Sequence, residues 1–556
     1  PPRSTLFPYT TLFRSVNLDD FIILDNISKW DGFFTKIGNA FTQQYIGGAY
    51  FRPLVTISLI IDGTFSGGGY FFYHFSNVVM HIISTCLILF ILQKLGFSKL
   101  VSIVGVLFFA AHPLFANAVS WILGRNDLLL ALFILLSFVG FLEFAKGKWL
   151  YLIIHFLGFF LALLSKETAA MLPMLCIFYM IFLSSEKLFS KKNFLVGSVW
   201  LLALLLWYYL RSFAPLGNTS DIVSITNFWN NLLTIPEFVG KFFTTVNVSV
   251  LPAFKSLTTI LGISSFLIIN LLLFINKESR KKVFLFGLLW FLFFTVPGMF
   301  SLVFSDRDFF DYFECRAYLP SFGLLLMLLE VLPKRQEYFY KKGFLISFAV
   351  VLIFLSSYTI VKSYQYSTPL KFWRSAVKDS PERARYHFEL GINYKMKKEY
   401  RKAEQRLFKA IKLNPKRPEF YYELGQLYFV QKNYEKAVAN FLEALDIFPT
   451  WHVPKNELSR SFFILKRYNE AAYVMKDLLS TNPNSVPILK NIINIYLEAN
   501  QFDSVVVYSQ KLEQVSTEVI PLGFLLNRSG VDAAQLLKFD IDRKSTRLNS
   551  SHRIRS

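Results

Sequence analysis

Five clusters in this 556-residue chain, one of them made of the two stretches YFRPL and YHFSNVVMH, hold residues whose types and spacing can do chemistry. VNLDD ends in adjacent carboxylates, Asp19 and Asp20. Such a pair can take a proton from an attacking hydroxyl or hold a divalent ion; acidic residues at a helix N-terminus are the plain alternative. YFRPL sets Arg52 ahead of a proline in a stiff loop. In YHFSNVVMH, His74, Asn77 and His81 fall at i, i+3 and i+7, one face of a helix. That face can bind sugar or phosphate, or it can be a buried polar surface that orients a loop. FAAHPLFANAVSWILGRNDLL carries His112, Trp121, Arg125 and Asp127, and LALLSKETAAMLP puts Lys166 beside Glu167. Those adjacent opposite charges either build a site or cap the next helix. ECRAYLPSFG offers Glu314, Arg316 and Tyr318. An arginine there pairs well with a phosphate at headgroup depth; snorkelling is its simpler role.

These clusters need a frame, and composition says which one. Hydrophobic types make up 53% of the chain and charged residues 17%, with 62 phenylalanines. One soluble core cannot hide that much apolar surface, so most of the chain is expected in lipid. A cytosolic enzyme, a secreted disulfide scaffold and a disordered tail are excluded. The three cysteines, Cys86, Cys176 and Cys315, show no metal or disulfide spacing. The net charge of +21 invites a nucleic-acid reading, but its distribution points elsewhere.

Runs long enough to cross a bilayer lie near 70–92, 100–119, 127–145, 149–164, 168–184, 194–211, 256–275, 283–304, 316–332 and 343–361. Cations crowd into the loops holding Lys94 and Lys99, Lys146 and Lys148, Lys187 to Lys192, Lys277 to Lys282, and Lys334 to Lys342. Placing these loops in the cytoplasm makes every crossing alternate, provided 228–252 makes no net crossing. Residues 16–69 and everything after 362 then share the other side. All five clusters fall there too, which no part of the charge count required. One more helix is expected ahead of Val16.

Beyond residue 362 a 34-residue period begins. Pro415, Pro449 and Pro483 follow it, as do Ala403, Ala437 and Ala471, and Leu390, Leu424 and Leu458. Three tetratricopeptide repeats are expected at 384–417, 418–451 and 452–485, and a weaker fourth from Val486, so that repeats span 384–515 after a linker at 363–383. The first is rich in Lys and Arg, either as a solvated face or as a contact for anionic headgroups. Residues 1–15 and 543–556 read as translated sequencing adapter and are set aside from the fold, with a C-terminal segment at 516–542.

The order of these motifs, followed by the repeats, resembles the transmembrane and tetratricopeptide-repeat O-mannosyltransferase-like family within the polytopic GT-C glycosyltransferases. The resemblance covers about residues 16–500. It implies an all-α protein, a polytopic helical bundle followed by an α-solenoid. It implies transfer of a mannose-like sugar from a polyprenyl-phosphate donor to a hydroxyl, on protein Ser or Thr, on the non-cytoplasmic face. Asp19 and Asp20 match the family's acidic pair and would be catalytic. The donor's phosphate or sugar would meet residues among Arg52, His74, Asn77, His81, Arg125, Asp127, Lys166, Glu167, Glu314, Arg316 and Tyr318. Arg316, then Arg125, is the favoured partner of the leaving phosphate. ECRAYLP departs from the family's ERYLYLP-like stretch. No cofactor is called for, although a divalent metal has a place if the acidic pair holds one. Partners would be the donor lipid, a protein or peptide acceptor on the repeats, and membrane lipid, with no nucleic acid. The short array points to a bacterial inner membrane, with the first loop and the repeats periplasmic. The alternatives are a non-catalytic membrane-anchored repeat scaffold and a transferase acting on glycolipid or polysaccharide.

Overall fold

The computed structural model describes residues 20–43, 50–66, 69–184, 188–214, 224–300, 311–332 and 341–516. Asp19, the side chain of Asp20, the cations Lys187, Lys334 and Arg335, both adapter-like ends and residues 517–542 lie outside that set. Among the described residues the chain is helical and has no strand. It divides into two compact units, one up to Pro381 and one from Glu382.

In the first unit a helix occupies each of the ten apolar runs. Phe71–Lys94, Ile122–Ala145, Lys191–Arg211, Ser256–Ile275, Lys281–Met299 and Lys342–Gln365 are long and apolar enough to cross a membrane. The run at 100–119 is broken: Lys99–Ala110 and Pro113–Ser120 meet at a 47° bend. Pro113 supplies no N–H and pushes His112 to extended backbone at φ −74° and ψ 124°. Leu150–Ser165, Glu167–Phe182 and Ser321–Val331 are shorter than a full span. The expected loop at 16–69 contains the helices Asp20–Ser28, Phe33–Thr42 and Pro53–Ser66. The stretch 228–252 holds only Ile225–Asn230 and Thr234–Thr244, too short to cross.

Polar contacts mark the two ends of this unit. At one end Glu143, almost fully buried, takes Lys94 and, at 2.5 Å, Lys148. Beside them Arg280 pairs with Glu330 and donates to the carbonyl of Leu95 at 2.5 Å. Gly96 and Gly147 stop the helices here at φ 82° and 90°, backbone that only glycine adopts freely. These are cation-rich loops. The four described motif clusters, from YFRPL to ECRAYLPSFG, lie at the opposite helix ends. On the helix Arg125–Ala145, Asp127 and Glu143 are separated by 16 residues, about 24 Å of helix.

The second unit stacks four helix pairs: Ala384–Met396 with Tyr400–Leu413, Pro418–Val430 with Tyr434–Ile447, His452–Ile464 with Tyr468–Thr481, and Val486–Glu498 with Phe502–Val515. The turn inside each pair uses one left-handed residue: Lys398, Lys432, Lys466 and Asn500, at φ 60°, 62°, 61° and 55°. Gly425 is small for a reason, since a Cβ there would stand 2.6 Å from the Phe441 ring. In the third pair Ser459 takes that place and donates to the Ala471 carbonyl at 2.9 Å.

Candidate functional site

A cavity of about 340 Å³ opens in the first unit, within the range that holds a small ligand. Six charged residues from five separate segments line it: Arg52, Asp127, Lys166, Glu167, Arg211 and Arg316. Phe238, Phe294 and Leu319 supply apolar wall.

The tight connection after Leu150–Ser165 organises the charges. Lys166 precedes the short 3-10 helix Glu167–Met171 and makes no side-chain cap there. Its ammonium reaches across to Asp127 Oδ1 at 2.5 Å instead. Glu167 turns to the other wall. Its Oε2 accepts from Arg52 Nη2 at 3.1 Å and Nε at 3.3 Å, and its Oε1 accepts from the Phe51 amide at 3.2 Å. Burial draws the Lys166 pKa below its ordinary value, while Asp127 pulls it back up.

Both described carboxylates of the cavity are thus matched by cations. Arg211 and Arg316 have no carboxylate partner among the described residues. Arg316 Nη1 donates to the Gly298 carbonyl at 2.8 Å, and its guanidinium lies 4.9 Å from the Phe313 ring centre. Arg211 closes the helix Lys191–Arg211 and leans on Trp207 at 5.1 Å. Among the described residues, four cations against two carboxylates line the cavity, and such a positive balance in a concavity attracts anions.

The remaining described motif residues stand outside this lining. Arg125 is fully buried and satisfied from all sides. It pairs with Asp62 at 2.5 Å and donates to Asn77 Oδ1 at 3.0 Å, to the Tyr73 carbonyl at 2.8 Å and to Ser58 Oγ at 3.3 Å. Asn77 in turn donates to the carbonyls of Val119 and Trp121 at 3.2 and 3.1 Å. His81 contacts the Tyr318 hydroxyl at 2.6 Å and the Ala110 carbonyl at 3.2 Å. His74 is half-buried on the same helix. Glu314 takes the buried Lys241 and accepts from the Ser249 amide at 3.1 Å. His112 contacts the Phe242 carbonyl at 2.9 Å. These residues brace the turns that carry Asp127 and Arg316; they do not face the cavity.

Arg211 and Asp62 were not singled out by motif. Both had a signal. Arg211 is a cation at the helix end where the charge bias leaves few cations. Asp62 is the one acid in the apolar helix Pro53–Ser66. Among the described residues no group of three or more His, Cys, Asp or Glu could hold a metal ion.

Residues 66–209 match the family model described as dolichyl-phosphate-mannose-protein mannosyltransferase, and residues 418–451 match tetratricopeptide repeat. Both halves of the motif resemblance are borne out. Protein O-mannosyl-transferase TMTC1 of Mus musculus is 29% identical over 150 residues, 25% of this chain and 16% of that protein. Tmtc1 of Drosophila melanogaster is 30% identical over 126 residues, 22% and 15%. Protein O-mannosyl-transferase F38B6.6 of Caenorhabditis elegans is 25% identical over 372 residues, 61% and 50%. The alignments therefore span between about a sixth and a half of these relatives. A crystal structure of MamA aligns with 29% of this chain and 92% of its own, at 17% identity and a TM-score of 0.25. The mannosyltransferase match contains Asp127, Lys166 and Glu167 of the cavity, while Arg52, Arg211 and Arg316 lie outside it.

Proposed function

We propose that this chain is an integral-membrane glycosyltransferase that moves a mannose-like sugar from a polyprenyl-phosphate donor to a hydroxyl, on protein Ser or Thr, on the non-cytoplasmic face. The observation that carries the reading is the positive cavity of Arg52, Asp127, Lys166, Glu167, Arg211 and Arg316. It lies at the helix ends away from the cation-rich loops. The names of the relatives agree with this chemistry.

The reaction balances as one displacement. The acceptor oxygen attacks the anomeric carbon from the face opposite the leaving group. The bond from that carbon to the phosphate oxygen breaks, and configuration inverts. Polyprenyl phosphate leaves with the electron pair. The acceptor's proton passes to Asp19 or Asp20. Arg316 and Arg211 hold the phosphate as its charge grows. Arg52 and Lys166, each tied to a carboxylate, keep the wall around it rigid. The acidic pair also has the donor chemistry for a divalent ion, and the displacement as written needs none. The repeats present an extended acceptor segment.

Purified full chain given a polyprenyl-phosphate-linked mannose and a Ser/Thr peptide should transfer the sugar. Asp19→Asn and Asp20→Asn should show which carboxylate takes the proton. Undiminished turnover in both would remove the pair from the mechanism. Absent donor binding by the intact chain would favour the non-catalytic scaffold.

A further inference from the structure

In the first repeat, the helix Tyr400–Leu413 buries Ala403, Leu407 and Ala410. Its opposite side carries Arg401, Gln405, Phe408, Lys409 and Lys412, at i, i+4, i+7, i+8 and i+11, all exposed. Phe408 leaves half its surface in water. Lys397 and Lys398 in the turn before the helix and Lys416 after it extend the same charge. Lys402 is answered by Glu399 at 2.5 Å. Arg401, Lys409 and Lys412 have no carboxylate partner among the described residues.

The repeat scaffold does not require these cations. One period further on the same positions are Glu435, Ala439, Leu442, Glu443 and Asp446; one further again, Asn469, Tyr473, Lys476, Asp477 and Ser480. Residues 384–417 hold eleven Lys and Arg against three Glu, whereas 418–451 hold two against five acids. A solvated face would tolerate either sign. A face with cations ringed about an exposed aromatic suits an anionic, partly apolar surface, because the charges meet headgroups while the ring enters the interface. Along the chain such a surface is within reach: the apolar helix Lys342–Gln365 ends 36 residues before Arg401.

We infer that the Arg401/Phe408/Lys412 face of the first repeat docks on the anionic headgroups of the bilayer that anchors the chain. The inference is independent of the glycosyltransferase reading. A repeat held at the lipid surface would keep an acceptor near membrane-bound chemistry, whatever that chemistry is.

The test uses the full chain in nanodiscs, with Cys86→Ala to remove the exposed thiol. Gln405→Cys carries an environment-sensitive fluorophore, and lipid-borne spin labels report contact. Discs of phosphatidylcholine with phosphatidylglycerol should quench the probe severalfold more than phosphatidylcholine alone. Added salt should reverse the difference. Ala439→Cys, the equivalent site one repeat on, should stay unquenched. The triple reversal Arg401→Glu, Lys409→Glu, Lys412→Glu should abolish quenching while circular dichroism shows the helices intact. Equal quenching in both lipids, or in the triple variant, would overturn the proposal. So would probe shielding by soluble polyglutamate with none by anionic lipid, which would reassign the face to an acidic protein.

Discussion

Lys166 reaches Asp127 at 2.5 Å while its neighbour Glu167 grips Arg52 at 3.1 Å. Two consecutive residues therefore tie together three parts of the cavity wall. The extended backbone of Lys166, at φ −162° and ψ 137°, sends the two side chains in opposite directions. Glu167→Gln keeps the shape and loses the charge. Transfer should fall by roughly 10²-fold, the scale of a displaced positioning group. The thermal midpoint should move little, because Arg52 and Glu167 remain partly exposed. Steady-state kinetics beside a melting curve check both.

Arg316 and Arg211 should separate kinetically. Arg316→Ala should lower kcat by about 10²–10³-fold, the scale for removing a donor aimed at developing charge. Arg211→Ala should act chiefly on the donor KM, and Arg211→Lys should recover most of the loss. The measurement is transfer rate against donor concentration.

Arg125 is fully buried with Asp62 as its counter-ion at 2.5 Å. Asp62→Asn leaves a buried charge unmatched and should cost about 3–5 kcal/mol. Thermal unfolding in detergent would report it. Loss of activity should follow loss of fold, with no separate change in donor KM.

The helices Thr234–Thr244 and Ser256–Ile275 touch backbone to backbone. A Cβ on Gly262 would stand 1.8 Å from the Pro236 carbonyl oxygen. Gly262→Ala must push the helices apart and with them Thr234 and Phe238 of the cavity wall. Low yield and a lowered melting temperature are expected. Gly343→Ala, with nothing within 4 Å, is the neutral control.

In the repeat unit, burial raises the Glu389 pKa above its ordinary 4.5, although Arg385 at 2.7 Å pulls it down. A carboxyl raised on folding binds its proton more tightly in the folded state. Its stabilising contribution is therefore full below the unfolded pKa and is lost as pH rises through the folded one. Glu389→Gln lacks that titration. The variant should gain on the parent as pH climbs from about 4.5, read as amide-exchange protection of Ala384–Met396 in the full chain.

The sequence by itself determined the helical class, the ten apolar segments, the 34-residue repeat and the segregation of cations. All of these are local or periodic properties, written in spacings of a few residues. It also marked five of the six charged residues that line the cavity, all but Arg211, because an ionisable group among apolar residues is costly wherever the chain places it. Only the tertiary structure decided which members of the described stretches face the cavity. Arg316 and, second to it, Arg125 are the phosphate partners the sequence favours, yet Arg125 is enclosed by Asp62 and Asn77 while Arg316 lines the cavity. Arg52 and Glu167 meet across 115 positions, a pairing set by how the helices cross and rotate. No periodicity within a single helix carries that information.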